Sequence, residues 1–180
     1  MTAENYGEVD MKKTILILIT VSSLIASGCA SLRTEVKIDV DSSSGTTVYY
    51  GIESDEMRFP DDTLLPSLKA SFFIKSTENG NLLTHQLYVM SMYSGKNSPD
   101  FYKAGITDGK ELNFSEISSK VERISSSAIY YETFGLDLPA ELVENNPDGI
   151  EIKVYGKSGI EFFLYVSGMM LSEQMKAINN

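Results

Sequence analysis

Short segments in which apolar and polar residues alternate dominate the chain after residue 33. Val36, Ile38 and Val40 alternate with charged residues over 34–41, which predicts a strand with one buried face. Residues 53–68 predict a loop, and further strands are predicted where β-branched and aromatic residues cluster between turn-forming residues. The bounds of these strands are 46–52, 71–77, 82–93, 101–107, 110–114, 128–136, 150–155 and 160–166.

Three glycine-containing segments predict hairpin turns. Asn79-Gly80 separates two apolar strands and predicts a type I′ turn, because both residue types accept positive φ. Asp108-Gly109 gives a second signal of the same kind. Gly156-Lys157-Ser158-Gly159 lacks the glycine spacing and the following helix of a phosphate-binding loop, so we interpret it as the turn of a third hairpin.

Two segments predict short helices. Residues 139–145 begin with proline, which suits the first turn of a helix, and they end before a second proline. Residues 168–178 carry apolar candidates in Met169, Met170 and Met175 and predict a C-terminal helix.

Residues 118–126 fit both types of element. Ile117, Val121 and Ile124 have helical spacing, but the strand-rich neighbourhood favours a strand.

Nine or ten short strands with two minor helices predict a mainly β fold. We expect an antiparallel β-sandwich or partly open barrel that forms a single domain over 34–180.

Composition limits the kind of protein. The chain has 180 residues, of which 42 % are apolar and 22 % charged, so it is neither wholly disordered nor a polytopic membrane protein. A net charge of −10 argues against nucleic acid as the main partner. One cysteine and one histidine exclude an internal disulfide framework and any site that needs two imidazoles.

The N-terminal region has the order of a secretory signal. Lys12 and Lys13 follow Met11, and an apolar run then extends over 15–26. This run is too short for a comfortable membrane-spanning helix, which needs roughly 20 apolar residues. The hexapeptide Leu24-Ile25-Ala26-Ser27-Gly28-Cys29 resembles the lipobox of bacterial lipoproteins, although its alanine replaces the more usual larger aliphatic residue.

The resemblance implies a signal peptide over 11–28, cleavage after Gly28 and acylation of Cys29. Several acyl chains would anchor the protein stably, with 29–33 as the anchor and a short tether. Because Ala30 rather than aspartate follows the cysteine, the resemblance implies the outer membrane and a domain that faces the periplasm. Residues 1–10 carry three acidic residues, which oppose the signal pattern, so we predict Met11 as the true start.

Candidate catalytic residues are few. His85 is the single histidine and no Gly-x-Ser-x-Gly motif accompanies it, so we interpret it as structural or exposed. An acylated Cys29 is not a nucleophile. Glu132 lies among aromatic residues and is the most suggestive carboxylate for glycoside hydrolysis, but an outward glutamate paired across strands is the plainer interpretation.

Several acidic residues are candidate metal ligands. The segment that begins at Asp39 and Asp41 starts like a calcium loop, but Ser44 and Tyr50 stand where such a loop needs glycine and glutamate. We therefore interpret it as a solvated strand edge and predict no metal site. The alternative is a weak divalent-cation site, which could include Asp55, Glu56, Asp61 or Asp62.

Tyrosine is the notable feature of composition, with nine residues after Gly28. Adjacent pairs must point to opposite faces of a strand, so one member of each pair is expected in the core. The exposed tyrosines together with Phe163 could form a partner-binding face, although ordinary sheet surface is the simpler interpretation. The tyrosines are Tyr49, Tyr50, Tyr88, Tyr93, Tyr102, Tyr130, Tyr131, Tyr155 and Tyr165.

These observations predict a lipid-anchored, periplasm-facing binding or assembly module that is not an enzyme. We expect the membrane as a partner through the anchor, an envelope protein as a second partner, and no cofactor. The sequence identifies no ligand-binding residue. Two alternatives stay open: a carboxylate-dependent hydrolase of envelope polymers, and a carrier of a lipid or another apolar ligand inside a barrel.

Overall fold

A computed structural model describes residues 32–60, 67–124 and 127–180. Within these residues the chain forms two antiparallel sheets and two short helices, which confirms the predicted mainly β fold, an antiparallel sandwich or partly open barrel. Cys29, Gly28, Asp61 and Asp62 lie outside the described residues, and so does the predicted signal over 11–28.

The larger sheet has six strands in the order β1-β2-β4-β5-β9-β8. Each strand pairs antiparallel with its neighbours, and the long strands β4, β5 and β9 form its centre. Its strands are β1 (Lys37–Asp41), β2 (Thr46–Tyr50), β4 (Leu68–Asn79), β5 (Leu82–Gly95), β8 (Phe114–Ile124) and β9 (Ser127–Leu138).

The smaller sheet has five strands in the order β3-β11-β10-β6-β7. Its strands are β3 (Met57–Arg58), β6 (Phe101–Ile106), β7 (Glu111–Leu112), β10 (Gly149–Gly156) and β11 (Glu161–Ser167). Helix α1 (Ala140–Glu144) follows β9, and helix α2 (Gly168–Ile178) follows β11 with the bounds that the sequence predicts. No helix in the described part of the chain is both long enough and apolar enough to cross a membrane.

The core lies between the two sheets. Alternate residues of β4, β5 and β9 face alternate residues of β10 and β11, as period-two burial requires. Aromatic rings fill the centre: the Phe101 ring lies 5.7 Å from that of Phe134 and 5.2 Å from that of Phe162, between centroids. Helix α2 adds Met170 and Leu171 to this core.

The predicted strand over 34–41 forms only in part, and its predicted burial is wrong. The strand begins at Lys37, and Ile38 and Val40 are 50 % and 64 % exposed. The reason is position: β1 is the outermost strand of the larger sheet, and helix α2 packs on β2 and β4 further in. Alternation therefore marks two faces here, but neither is covered by a second layer.

The turns form where they were predicted, with one difference in type. Asn79 pairs with Leu82, so the two turn residues are Gly80 and Asn81. Only Gly80 has positive φ, at 60°, which fits a turn with glycine at its first central position rather than type I′. The 108–109 and 156–159 turns also connect paired strands, with positive φ at Gly109 and Gly159.

Two element predictions need correction and one is confirmed. The ambiguous segment around Val121 is a strand, the second half of β8. The predicted strand over 110–114 is instead divided between β7 and β8, and the predicted loop over 53–68 contains the two-residue strand β3.

Candidate functional site

His85 lies in the core, where it continues a buried chain of polar side chains. Its Nδ1 is 2.8 Å from the Ser76 hydroxyl, and the Gln174 amide of α2 donates to that hydroxyl at 2.7 Å. The same amide donates to the carbonyl of Tyr49 at 3.3 Å. These bonds connect α2 to β2, β4 and β5, so the buried polar chain holds the helix on the larger sheet.

Burial governs the protonation of His85. The Ser76 hydroxyl shares a hydrogen bond with Nδ1 of the ring and also accepts one from the Gln174 amide. Burial lowers the pKa of His85, while the Glu144 carboxylate acts in the opposite direction. Ser76 is fully buried and His85 is 4 % exposed, so the pair has the residues of a hydrolytic dyad, but its hydroxyl is enclosed in the core.

Glu132 does not point outward, and the expectation of an outward, cross-strand-paired glutamate is wrong. Its carboxylate accepts hydrogen bonds from the Ser98 hydroxyl at 2.8 Å and from the Asp100 and Phe101 amides at 3.0 and 2.9 Å. The loop that it binds contains Asp100, the one described residue other than glycine with positive φ, at 48°. Glu132 therefore fixes a strained loop.

Asp39 and Asp41 form the exposed strand edge that the sequence predicts. Asp41 accepts hydrogen bonds from the Ser43 hydroxyl at 2.6 Å and the Ser44 hydroxyl at 2.8 Å, which lower its pKa to about 2. Asp55 and Glu56 are exposed. Among the described residues, no three histidine, cysteine or carboxylate side chains come together as a metal site.

The tyrosines do not share one surface. Tyr49 is buried and its hydroxyl donates to Glu78 at 3.0 Å, whereas Tyr50 lies on the opposite face of β2. Tyr50 and Tyr88 face outward from the larger sheet, while Tyr155, Phe163 and Tyr165 face outward from the smaller one. The predicted joint face of tyrosines and Phe163 is therefore two faces on different sheets.

The outer face of the larger sheet carries the more organised of these surfaces. The rings of Tyr50 and Phe73 lie 6.2 Å apart and those of Phe73 and Tyr88 5.1 Å apart, between centroids. The Arg33 guanidinium lies 4.9 Å from the centre of the Phe73 ring, and the Lys37 ammonium lies 5.6 Å from that of Tyr50. The aromatic–cationic patch is defined by Arg33, Lys37, Tyr50, Phe73, Lys75 and Tyr88.

A groove of about 680 Å³ continues from this patch at Lys75. Outward side chains of the larger sheet line it, among them Thr77, Thr84, Gln86 and Asp137. These residues have the opposite strand parity to Ser76 and His85, but His85 and its partner Leu138 also line the groove, which therefore reaches the end of the strands where the buried polar chain begins.

The polar side chains of the groove hold one another in place. The Gln86 amide donates to Asp137 at 3.1 Å, and the Asn113 amide donates to the other oxygen of Asp137 at 2.7 Å. Gln86 lies directly over Gly135, where a Cβ would overlap its amide group. A glycine in mid-strand therefore has a local reason here, which is the close approach of a side chain.

The chain reaches this face at its first described residues. Arg33 donates to the Gly51 carbonyl at 3.0 Å and to the Glu53 carboxylate at 2.8 Å, while the Glu53 amide donates back to the Arg33 carbonyl. These contacts fix Arg33 over Tyr50 and Phe73. These contacts thus hold the chain at Arg33 against the outer face of the larger sheet.

Sequence reasoning did not identify Gln86, Asn113, Asp137 or Gly135. They come from β5, β9 and the residue between β7 and β8, and they become neighbours only through the β5–β9 and β8–β9 pairings. The sequence did carry a signal for the aromatic–cationic patch: Phe72 and Phe73 are adjacent in a strand, so one of them had to face outward. That outward phenylalanine lies at the centre of the patch.

Comparison with known proteins gives no match. No family model fits this chain, and neither the curated proteins nor the solved structures contain a significant match.

Proposed function

We propose that this chain is a lipid-anchored, non-catalytic binding module of the bacterial envelope, held at the periplasmic face of the outer membrane. Its anchor is the acylated Cys29, and its binding face is the outer face of the larger sheet. The position of Arg33 carries the proposal, because this residue lies over that face only four residues after the lipobox cysteine.

The short tether supports the choice of face. Four residues span at most about 14 Å even when fully extended. An acylated Cys29 therefore holds Arg33, and the patch below it, within that distance of the membrane surface. Such a tether also gives the domain a high effective concentration toward anything on that surface.

The groove supports binding rather than catalysis. Its amide and carboxylate groups are oriented by each other, which is the preorganisation that a recognition site requires. The hydrolase alternative has less support because the Glu132 carboxylate is occupied by three hydrogen bonds. The carrier alternative has less support because Phe72, Phe134 and Phe162 fill the space between the sheets.

Crosslinking in intact cells tests the proposal. A photo-crosslinking side chain at Thr84 samples the groove, and the same side chain at Thr107 samples the side of the smaller sheet, where Thr107 contacts Glu151. We expect a discrete adduct from Thr84, none from Thr107, and loss of the adduct in a Cys29→Ala chain. Equal labelling from both positions, or labelling that does not depend on Cys29, would contradict the proposal.

A substitution at Gly135 provides a test of the groove without a change of charge. In Gly135→Ala, the new Cβ displaces the flexible end of Gln86 and leaves the core unchanged. We expect the Thr84 adduct to fall while the melting temperature stays within a few degrees. An unchanged adduct would show that Gln86 takes no part in binding.

A further inference from the structure

We propose that the aromatic–cationic patch docks on the anionic headgroups of the same bilayer that holds the lipid anchor. The inference rests on the proposed function, which brings a bilayer within reach, and it names the partner of that face. The groove would then open at the level of the headgroups.

Charge is the first argument. After Gly28 the chain carries 22 acidic and 13 basic residues, yet the patch contributes Arg33, Lys37 and Lys75 to one surface. Arg33 pairs with Glu53, whereas within the described ranges neither Lys37 nor Lys75 forms a salt bridge. Two unneutralised ammonium groups on an acidic domain fit a surface of phosphate groups.

The arrangement of these groups is the second argument. Lys37 pairs with Tyr50 across β1 and β2, and Tyr50 pairs with Lys75 across β2 and β4. The three side chains therefore form one row, with a phenol ring between two ammonium groups. Long cationic side chains and tyrosine rings are the residues that favour the membrane–water interface.

The apolar surface extends beyond the row. Tyr88 stacks on Phe73, and Met90 follows on the same face of β5 with 36 % of its surface exposed. The second sheet lies against the other face. Phe73 is only 6 % exposed because Arg33, Tyr50 and Tyr88 pack on it, so among the described residues the two tyrosine rings and Met90 form the accessible part of this surface. Aromatic and thioether side chains between lysines suit the boundary between headgroups and acyl chains.

One acidic residue, Glu53, lies in the patch, where it pairs with Arg33, and the other acidic residues on this face lie at its periphery. Asp39 and Asp41 follow Lys37 toward the β1–β2 turn, and Asp41 is bound by two serine hydroxyls. Asp137 lies across the sheet in the groove, where Asn113 and Gln86 hold it. Because an anionic surface repels these peripheral carboxylates, contact with the bilayer is limited to the patch, and the groove lies at the edge of the docked area.

Because the tether keeps the domain next to the bilayer, weak contacts are sufficient to dock the patch. A lysine near an anionic surface is worth about 1 kcal/mol, which corresponds to roughly a fivefold change in a docking equilibrium. Removal of Lys37 and Lys75 should therefore shift that equilibrium roughly 25-fold toward the undocked state. Salt should weaken docking in the same direction, because the exposed charges are screened.

The test uses the absence of tryptophan from the chain. Tyr88→Trp places a single indole in the patch, and Tyr102→Trp places one on the smaller sheet, where Tyr102 is 50 % exposed. The full mature protein, anchored through Cys29, is placed in vesicles of phosphatidylglycerol and phosphatidylcholine, and quenching by acrylamide is measured. Met90→Trp is the second reporter if Tyr88→Trp does not fold.

We expect the indole at position 88 to be several-fold less accessible to acrylamide than that at 102. Lys37→Gln with Lys75→Gln should restore access, whereas Lys96→Gln with Lys157→Gln, which removes the same charge elsewhere, should not. Equal access at 88 and 102 would overturn the inference. So would equal protection in vesicles of phosphatidylcholine alone, or protection confined to native membranes, which would assign the patch to a protein.

The proposed function and this inference can fail separately. Mass spectrometry of Cys29 from cell-made protein decides whether the chain is acylated, which tests the anchor. If Cys29 is not acylated, coupling its thiol to a maleimide lipid anchors the same chain, and the quenching measurement still tests the patch.

Discussion

His85 and Ser76 illustrate how burial decides the role of a residue. Their 2.8 Å separation would suit a base and a nucleophile, but the Ser76 hydroxyl is enclosed by the core and by Gln174 of α2, and His85 is only 4 % exposed. Neither Nε2 of His85 nor Oε1 of Gln174 has a hydrogen-bond partner among the described residues. Such a chain fixes how α2 sits on the sheet, and its burial favours the neutral imidazole over the charged one.

We expect this requirement to appear in the pH dependence of stability. The pKa of His85 is lowered in the folded protein, so unfolded chains bind the extra proton first as pH falls through the ordinary value of 6.5. The folded state should lose at most about 1.4 kcal/mol between about pH 7.5 and about pH 5.5 from this group. Urea unfolding of the wild type and of His85→Gln at both pH values measures the difference, and equal pH dependence in the two proteins would refute it.

Glu132 gives a second prediction at the scale of one residue. Glu132→Ala removes the acceptor of three hydrogen bonds and leaves the strained turn at Asp100 unsupported. We expect the free energy of unfolding to fall by roughly 2–3 kcal/mol. Glu116→Ala, an exposed carboxylate on the neighbouring strand, is the control and should cost less than about 0.5 kcal/mol. Equal stability of the two variants in urea would show that the loop does not depend on Glu132.

At the scale of elements, local signals predict helix ends better than strand burial. The bounds of α2 follow from its own residues: Ser167 accepts a hydrogen bond from the Met170 amide, and Met170 and Leu171 face the core. The burial of β1 depends instead on its place at the edge of the sheet, which alternation at Ile38 and Val40 does not encode.

The start of α2 allows no side chain at Gly168. A Cβ at this position would overlap the backbone carbonyl of Pro147, which is rigid compared with the end of a side chain. We expect Gly168→Ala to lower the free energy of unfolding by roughly 1–3 kcal/mol, because the helix must shift. Thermal unfolding measures this loss. The control is Ser172→Ala, on the exposed side of the same helix, which should change the free energy of unfolding by no more than about 0.5 kcal/mol. A Gly168→Ala protein as stable as the wild type would show that the loop before β10 yields easily.

At the scale of the whole molecule, the sequence predicts the fold class but not the candidate site. Period-two segments and three turns are local, so the antiparallel sandwich follows from them. The groove depends on Gln86, Asn113 and Asp137, which are separated by 27 and 24 positions along the chain. Only the pairing of β5, β8 and β9 brings such residues together, and no local pattern specifies that order.

The anchor and the domain should behave as independent parts of the molecule. Every buried apolar residue of the described core lies between Tyr49 and Leu171, so Cys29→Ala removes the proposed acyl anchor without a change in that core. We expect the Cys29→Ala chain to unfold at the same denaturant concentration as the anchored chain.

Its location should differ. Without acyl chains, the patch alone retains only contacts that salt weakens, so the variant should leave the membrane fraction at high ionic strength while a Ser31→Ala control stays bound. Fractionation of cells in low and high salt measures the contribution of the acyl anchor and that of the patch in one experiment. A Cys29→Ala chain that stays with membranes in high salt would mean that the protein is held by something other than the lipobox cysteine.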